Sequence, residues 1–187
     1  PRAMELANGR RALVLDTEGT GSMEASPDQD AKLLSVAVSL ASLFIYNSTG
    51  ALDERSFSEV GVLAHAAQRV QGSAGGAWTA PHLIWALRDF SLILEKPDGT
   101  PLTPDAYLEQ HLLEADKGEA RALVRTYFAS RSLLPFVRPV AEEDQLQRLA
   151  SLPEAQLRPE FEAQLQIFRA RVAELAAPKQ LGDRAAS

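Results

Sequence analysis

The residues most suited to chemistry in this 187-residue sequence lie close together near its start. They belong to residues 11–21, which read Arg-Ala-Leu-Val-Leu-Asp-Thr-Glu-Gly-Thr-Gly. An apolar run leads into the carboxylates Asp16 and Glu18, and Gly19 and Gly21 follow. Glycine lets the backbone turn tightly and brings bare N–H groups close to an anion, and a carboxylate is the oxygen ligand that Mg²⁺ prefers. The stretch therefore predicts a site for phosphate, a metal ion or both.

The element that must position Asp16 is the apolar run before it. A short apolar run closed by turn residues is typical of a fully buried strand in a parallel sheet. Ligands of such sheets bind beyond the carboxyl ends of the strands. We therefore expect residues 11–15 to form a buried strand, with Asp16 at the edge of the sheet where chemistry takes place.

Three known patterns fit this stretch, and the local sequence does not choose between them. An apolar strand that ends in Asp-x-x-Gly is the metal-side motif of GTPases. Asp-Thr-Glu-x-Thr-Gly is close to the opening motif of DEDD-type exonucleases. Asp-x-Glu-Gly-Thr resembles the Asp-x-Asp-Gly-Thr of aspartyl-phosphate phosphatases, with Glu18 off the pattern. A buried strand followed by a solvated acidic turn also stays open, because short motifs often match by chance.

Composition predicts one globular domain with a substantial core. The sequence is 45% hydrophobic and 24% charged, which is typical of such domains. Its formal net charge is −6, so we expect no nucleic-acid partner, because binding the phosphate backbone needs a basic surface. The negative net charge therefore makes an exonuclease function less favoured.

Cysteine usage and hydropathy bear on the compartment. The sequence has no cysteine, which excludes disulfides and thiolate zinc sites. No apolar run is long enough to span a bilayer, and no signal peptide opens the sequence. We expect a cytoplasmic protein, associated with membranes only through segments that lie outside these residues.

The rest of the sequence alternates apolar runs with amphipathic stretches. Further strands are predicted at residues 43–47, 83–87 and 133–137. Helical spacing and capping residues predict helices at residues 31–40, 53–70, from 103 onward, 119–130, 142–149 and 160–176. Residues 71–81, rich in Gly, Ala and Ser, are predicted to form a mobile loop. This order predicts an α/β fold with helices on both faces of a mostly parallel sheet.

A charged pair at the end of the predicted strand 83–87 is the second candidate site. Arg88 and Asp89 come directly after that apolar run, and Phe90 follows them. A buried strand that delivers adjacent Arg and Asp side chains to a sheet edge is typical of a functional site. A local ion pair at a strand end would give the same sequence, so both interpretations stay open here.

Together, these motifs resemble the guanylate-binding protein family of dynamin-related large GTPases over nearly the whole sequence. The matching segments are Leu15-Asp16-Thr17-Glu18-Gly19-x-Gly21, Phe44-Ile45-Tyr46-Asn47-Ser48-x-Gly50, Leu87-Arg88-Asp89-Phe90, Pro101-Leu102-Thr103-Pro104-Asp105-x-Tyr107-Leu108, Val137-Arg138-Pro139 and Arg158-Pro159-Glu160-Phe161. Leu-Arg-Asp-Phe is the most specific segment, because most GTPases have Asn-Lys-x-Asp there. The resemblance implies a P-loop-NTPase-like GTPase domain that binds GTP with Mg²⁺ and hydrolyses GTP.

The resemblance also implies roles for individual residues on the phosphate side of such a site. Asp16 matches the aspartate that holds Mg²⁺ through water. Gly19 matches the glycine whose N–H meets the γ-phosphate, and Glu18 matches a residue that supports the catalytic water network.

On the base side, the resemblance implies that Arg88 and Asp89 read guanine. Arg138 lies where the family begins its guanine cap and its head-to-head dimer contact. A homodimer formed through the GTPase domain is therefore expected as the protein partner, with GTP and GDP as the ligands.

The sequence departs from the family in what it lacks. It contains no Gly-x-x-x-x-Gly-Lys-Ser/Thr phosphate loop, and switch I and the catalytic arginine of the family are missing too. We therefore interpret residues 1–187 as a partial GTPase domain, incomplete at its N-terminus. Residues 178–187 are interpreted as the start of a truncated connection to a helical domain.

Other functions fit less of the sequence. A DEDD-type exonuclease needs further aspartates in His-Asn-x-x-Phe-Asp and His/Tyr-x-x-x-Asp contexts, which this sequence lacks. A phosphatase needs a helix-borne lysine and a late aspartate pair, and Asp116 and Lys117 do not form that pattern. A nucleotide-independent interaction module with the same fold, a pseudo-GTPase, remains the main alternative. We expect these 187 residues alone to be catalytically inactive, because the phosphate loop supplies most of the charge stabilisation in phosphoryl transfer.

Overall fold

A computed structural model of the protein describes residues 2–6, 8–17, 27–74, 79–114, 118–181 and 184–185. Its elements confirm the predicted alternation of strands and helices. The strands are β1 (Arg2–Glu5), β2 (Arg11–Val14), β3 (Leu43–Thr49), β4 (His82–Arg88), β5 (Arg131–Pro135), β6 (Gln180–Leu181) and β7 (Arg184–Ala185). The helices are α1 (Pro27–Leu40), α2 (Glu54–Ala74), α3 (Pro104–Leu113), α4 (Glu119–Tyr127), α5 (Glu143–Gln147) and α6 (Pro159–Leu175), with short 3₁₀ turns at Leu149–Ser151 and Glu154–Gln156.

The central sheet consists of three parallel strands in the order β3-β4-β5. Strand β4 pairs with β3 from Leu43 opposite His82 to Thr49 opposite Arg88, and with β5 up to Leu87 opposite Pro135. Residues 83–87 of β4 are all buried. Such a strand must be apolar on both faces, which explains its uninterrupted hydrophobic run.

The main hydrophobic core lies between this sheet and the helices α2, α3 and α4. Trp85 is its centre: its ring lies 5.0 Å from that of Phe57 on α2 and 5.0 Å from that of Tyr46 on β3. The indole N–H of Trp85 donates to Ser48 Oγ at 2.9 Å, so its one polar group is satisfied. Burial of these rings holds α2 against the carboxyl halves of β3 and β4.

Helix α2 begins as predicted and ends later than predicted. The carboxylate of Asp53 accepts the N–H of Ser56 at 2.8 Å, and hydrogen bonds from Ser56 lower the pKa of Asp53. The helix continues to Ala74. The prediction of a loop from residue 71 is therefore wrong for residues 71–74, because the single Gly72 does not end a helix whose other residues favour it. Residues 75–78 of that predicted loop lie outside the described residues.

Helix α3 also has its predicted cap. Thr103 Oγ accepts the N–H of Ala106 at 3.2 Å, and Pro104 occupies the first helical position. Arg131 at the start of β5 forms a two-pronged ion pair with Glu109 on this helix, with both N···O distances 2.6 Å. These contacts fix α3 beside β5.

A buried arginine joins three helices. The side chain of Arg121 on α4 is 3% exposed and forms ion pairs with Glu54 on α2 and with Glu114 after α3. Its guanidinium lies 4.2 Å from the centre of the Phe57 ring. An arginine that reaches two carboxylates and an aromatic face fixes the relative positions of all three helices.

The prediction for residues 11–15 is wrong in its pairing and its burial. Strand β2 pairs with β1 in an antiparallel hairpin that is separate from the three-stranded sheet. Leu13, on β2, is 67% exposed, so the strand is not a buried one. The reason is local: Asn8-Gly9 closes a tight turn in which Gly9 has φ 77°, and this dipeptide is a strong hairpin signal.

The hairpin docks on the far end of α6. Asn8 Nδ2 and an Arg10 guanidinium nitrogen both donate to the carbonyl of Ala173 at 2.5 Å. The carboxyl end of α6 therefore supports the turn of the hairpin, and β2 runs away from it toward Asp16. None of the helices in the described ranges is both long and apolar enough to cross a membrane.

The contact between α2 and α4 depends on a glycine. A Cβ atom built on Gly61 would lie 2.8 Å from Ala120 Cβ and 2.9 Å from Ala120 Cα. These distances are shorter than van der Waals contact, so a side chain at residue 61 would push α4 away from α2.

We expect Gly61→Ala to destabilise the protein by about 1–3 kcal/mol, because it overpacks this helix contact. The matched control is Gly72→Ala on the same helix, where a Cβ meets nothing within 4 Å. That change should stabilise the protein by about 0.5–1 kcal/mol through the lower backbone entropy of the unfolded state. Chemical denaturation measures both free energies of unfolding, and equal effects of the two changes would contradict the packing argument.

Candidate functional site

The chain makes a strained turn directly after β4. Asp89 has φ 54°, the one positive φ of a non-glycine residue in the described part of the chain. Aspartate tolerates this left-handed conformation better than most residues, but the conformation still costs free energy. Such strain is often found at functional sites, where the fold holds a side chain in a required direction. Asp89 is exposed, and no described residue forms a hydrogen bond or ion pair with its carboxylate.

Neighbouring strands hold the residues on both sides of Asp89. On the β3 side, the N–H of Gly50 donates to the carbonyl of Arg88 at 2.7 Å, and the Arg88 guanidinium donates to Thr49 Oγ at 3.2 Å. Gly50 has φ 82°, a conformation that favours glycine. The ion pair between Arg88 and Asp89, which the sequence left open as the alternative to a functional site, is not formed: Arg88 contacts the threonine of the adjacent strand.

On the β5 side, Phe136 connects the two strand ends. Its N–H donates to the carbonyl of Leu87 at 2.8 Å, and its carbonyl accepts the N–H of Phe90 at 2.9 Å. The Asp89 turn is therefore closed by backbone hydrogen bonds immediately before and after it. Because no residue in the described part of the chain pairs with the Asp89 carboxylate, this group is placed to bind a ligand.

Behind the turn, aromatic packing forms an apolar wall. The ring of Phe90 lies 6.1 Å from that of Tyr107 on α3. Burial raises the pKa of the Tyr107 hydroxyl, with a smaller contribution from Glu114, so this tyrosine stays neutral at physiological pH. The charge of the site therefore comes from its carboxylate and arginines.

A cleft of about 660 Å³ opens beside Asp89, between the ends of β4 and β5 and the start of α6. That volume is in the range that holds a small organic ligand. It is lined by Asp89, Phe90, Ser91, Leu92, Leu94, Pro135, Val137, Arg138, Arg158 and Gln164. The structure thus brings two predicted residues, Asp89 and Arg138, to one cleft.

Two arginines line the same cleft as Asp89. The Arg138 guanidinium lies 3.1 Å from Glu143, and the Arg158 guanidinium lies 3.5 Å from Glu160. Arg138 is 45% exposed, so its ion pair is solvent-screened and easily exchanged for a ligand contact. A ligand with both hydrogen-bond donors and negative charge fits a cleft with one carboxylate and two arginines.

Sequence reasoning missed Gln164 in this cleft. Its side-chain oxygen accepts the backbone N–H of Val137 at 2.8 Å. A signal was present, since Gln164 lies three residues after Phe161 and four before Phe168, on the apolar face of α6. A polar residue in an apolar stripe usually has a specific hydrogen-bond partner.

The other predicted site residues lie elsewhere or outside the description. Asp16 follows β2, is exposed and is not among the residues that line the cleft. Glu18 and Gly19 lie outside the described residues. Among the residues that are described, no group of three or more His, Asp or Glu side chains is arranged to hold a metal ion.

Comparisons with known proteins match this chain to one family. The family model described as "Guanylate-binding protein, N-terminal domain" matches residues 6–180. "Guanylate-binding protein 1" of Homo sapiens is 33% identical over 183 residues, which cover 86% of this chain and 30% of the relative. "Guanylate-binding protein 2" of Mus musculus is 32% identical over 194 residues, which cover 92% of this chain and 32% of the relative.

The chain therefore spans about a third of the length of the curated relatives it matches. The matched range contains both strand ends that build the cleft, and the match to the human relative covers most of the chain. The α/β architecture, with its parallel sheet, agrees with a P-loop GTPase-like domain. The chain belongs to the guanylate-binding protein family.

Proposed function

We propose that this domain binds a guanine nucleotide with its base at Asp89, and that the intact protein hydrolyses GTP. The observation that carries the proposal is the Asp89 turn. An exposed carboxylate, without a partner among the described residues, is held in a strained conformation beside a cleft of ligand size. Membership of the guanylate-binding protein family supports the choice of guanine.

The chemistry of a carboxylate at this position suits guanine in particular. Both oxygens of Asp89 are acceptors, and guanine presents two adjacent donors, the N1–H and the exocyclic amine. Adenine presents an acceptor at N1 and carries its amine at C6 instead of C2, so the N1 lone pair would face a desolvated carboxylate oxygen with no proton between them. Sites of that kind discriminate strongly between ligands, because an unpaired buried charge is costly.

Arg88 and Arg138 have different tasks in this proposal. Arg88 lies at the end of β4, next to Asp89, and its planar guanidinium is suited to stack on the base or to pair with a carboxylate. Arg138 lines the same cleft as Asp89 and is half exposed. It would cover the base from the β5 side.

The phosphate side of the site is assigned to the segment after β2. Asp16 is exposed, and its oxygen ligands suit Mg²⁺, which keeps several waters and needs few protein carboxylates. Mg²⁺ would neutralise phosphate charge there. The Gly19 N–H would donate to the γ-phosphate, and Glu18 would orient the attacking water through hydrogen bonds. The phosphate loop, which the sequence lacks, would come from a segment outside these 187 residues.

A second copy of the protein is the proposed partner. Leu92 and Ile93 follow the Asp89 turn and are 52% and 80% exposed, and Leu92 lines the same cleft as Arg138. Two neighbouring apolar side chains at the rim of a ligand cleft favour an interface that closes over the bound ligand. We therefore propose a head-to-head dimer through this face in the nucleotide-bound state.

Asp89→Asn tests the base assignment in the intact protein. The amide offers one donor and one acceptor, which matches xanthine, where a carbonyl replaces the amine of guanine. We expect the affinity for GDP to fall on the order of 100-fold and the preference to shift to xanthosine diphosphate. The control is Asp98→Asn in a turn outside the cleft. Nucleotide titrations measure the affinities of each variant for GDP and for xanthosine diphosphate. An unchanged base preference in Asp89→Asn would exclude a role of Asp89 in reading the base.

Asp16→Asn tests the phosphate side. Loss of the negative charge should lower the affinity of the nucleotide complex for Mg²⁺ about tenfold. The measurement is the Mg²⁺ concentration needed to slow GDP release, which should be higher in the variant. Glu5→Gln, which removes an exposed carboxylate from the same hairpin, is the control. If both variants require the same Mg²⁺ concentration as the wild type, Asp16 does not serve the metal.

The 187-residue chain by itself should show no GTP turnover, because it lacks the phosphate loop. A fluorescent GTP analogue titrated against this chain and against the intact protein separates a partial GTPase from an interaction module. We expect GTP turnover in the intact protein alone. Robust turnover by the chain, or no binding by the intact protein, would contradict the proposal.

A further inference from the structure

Helix α6 holds the segment that carries Arg138. The ring of Phe136 lies 6.1 Å from that of Phe161 and 5.7 Å from that of Phe168, so it packs between two side chains about two helical turns apart. Phe136 is buried and also pairs through its backbone with the end of β4. It therefore fixes the beginning of the segment, one residue before the backbone turns outward.

Two hydrogen bonds hold the residues on either side of Arg138. The N–H of Val137 donates to Gln164 Oε1 at 2.8 Å, and the carbonyl of Pro139 accepts the N–H of Arg158 at 2.8 Å. Pro139 is buried, whereas Arg138 is exposed. The backbone before and after Arg138 is thus anchored on α6, and its side chain is directed to the rim of the cleft.

The chemistry of the Gln164 contact defines the orientation of its amide. A backbone N–H must be accepted by the carbonyl oxygen, because the NH₂ group has no lone pair to accept it. In the described part of the chain, no strand accepts the Val137 N–H, which lies two residues beyond the end of β5. Without Gln164 that donor would lose its protein partner, and the backbone at residues 137–138 would be less constrained.

We propose that Gln164 is a positioning residue of the base cleft: it fixes the Val137 amide and thereby holds Arg138 over the bound nucleotide. Gln164 acts through Arg138. This inference rests on the proposed guanine-nucleotide function.

The test uses the intact protein and its affinity for GDP, measured by fluorescence titration. Gln164→Met removes the hydrogen-bond acceptor with little change in side-chain shape, and it should lower the affinity for GDP about tenfold. Gln164→Glu keeps an acceptor for the Val137 N–H, so its affinity for GDP should stay within about twofold of that of the wild type. Gln166→Met, on the exposed face of the same helix, is the matched control and should leave the affinity unchanged.

A double-mutant cycle with Arg138→Ala tests whether Gln164 acts through Arg138. If it does, Gln164→Met lowers the affinity for GDP about tenfold in the wild type and less than about twofold in the Arg138→Ala background. The reason is that the effects of substitutions at coupled residues do not add. Tenfold weakening in both backgrounds would overturn the inference, and so would equal losses for Gln164→Met and Gln164→Glu.

A purely structural role predicts a different result. In that case Gln164→Met lowers the melting temperature and leaves the GDP affinity of the folded protein unchanged, which overturns the inference. Gln164→Ala gives a second truncation, with the same expected loss of affinity, if the methionine variant does not fold. The Asp89→Asn variant separates the positioning role of Gln164 from the proposed guanine site. If Asp89→Asn shifts the base preference but the Gln164→Met variant binds GDP as tightly as the wild type, only the positioning role is overturned. If Asp89→Asn leaves the base preference unchanged, both proposals are overturned.

Discussion

Burial of β4 between two parallel neighbours is the constraint on which the architecture depends. Residues 83–87 are buried on both faces, and hydrogen bonds to β3 and β5 leave this strand one register. Parallel pairing directs the carboxyl ends of all three strands to the same edge. Arg88, Asp89 and the segment after β5 meet at that edge as a direct consequence. A register slip of one residue would turn Trp85 out of the core, so the core also fixes the position of the site.

At that edge, the strained backbone of Asp89 is stabilised by hydrogen bonds from its neighbours. The left-handed conformation of Asp89 is unfavourable alone, and it persists because hydrogen bonds close the backbone on both sides, at Arg88 and at Phe90. Phe136 takes part in that closure and also packs against α6. Phe136 therefore holds both the Asp89 turn and the segment that carries Arg138, two parts of the chain that line the same cleft. Such preorganisation lowers the entropy lost when a ligand binds.

Sequence patterns were sufficient where the structure is determined by burial and capping. The strand before Arg88 and the start of α2 at Asp53 follow from apolar runs and a capping carboxylate, and both are present. The pairing of residues 11–15 was mispredicted, because an apolar run does not say which strand lies beside it, and the Asn8-Gly9 turn decides this locally. Gln164 was missed because its partner, a backbone N–H, lies 27 residues away in the sequence.

The most direct measurement of the central claim is a crystal structure of the intact protein with GDP and Mg²⁺ bound. The account predicts that the guanine base lies in the cleft beside Arg138, with N1 and the exocyclic nitrogen about 2.7–3.1 Å from the Asp89 carboxylate. It also predicts that the phosphates extend toward Asp16, which follows the hairpin strand β2. A nucleotide bound elsewhere, with Asp89 facing solvent, would contradict it.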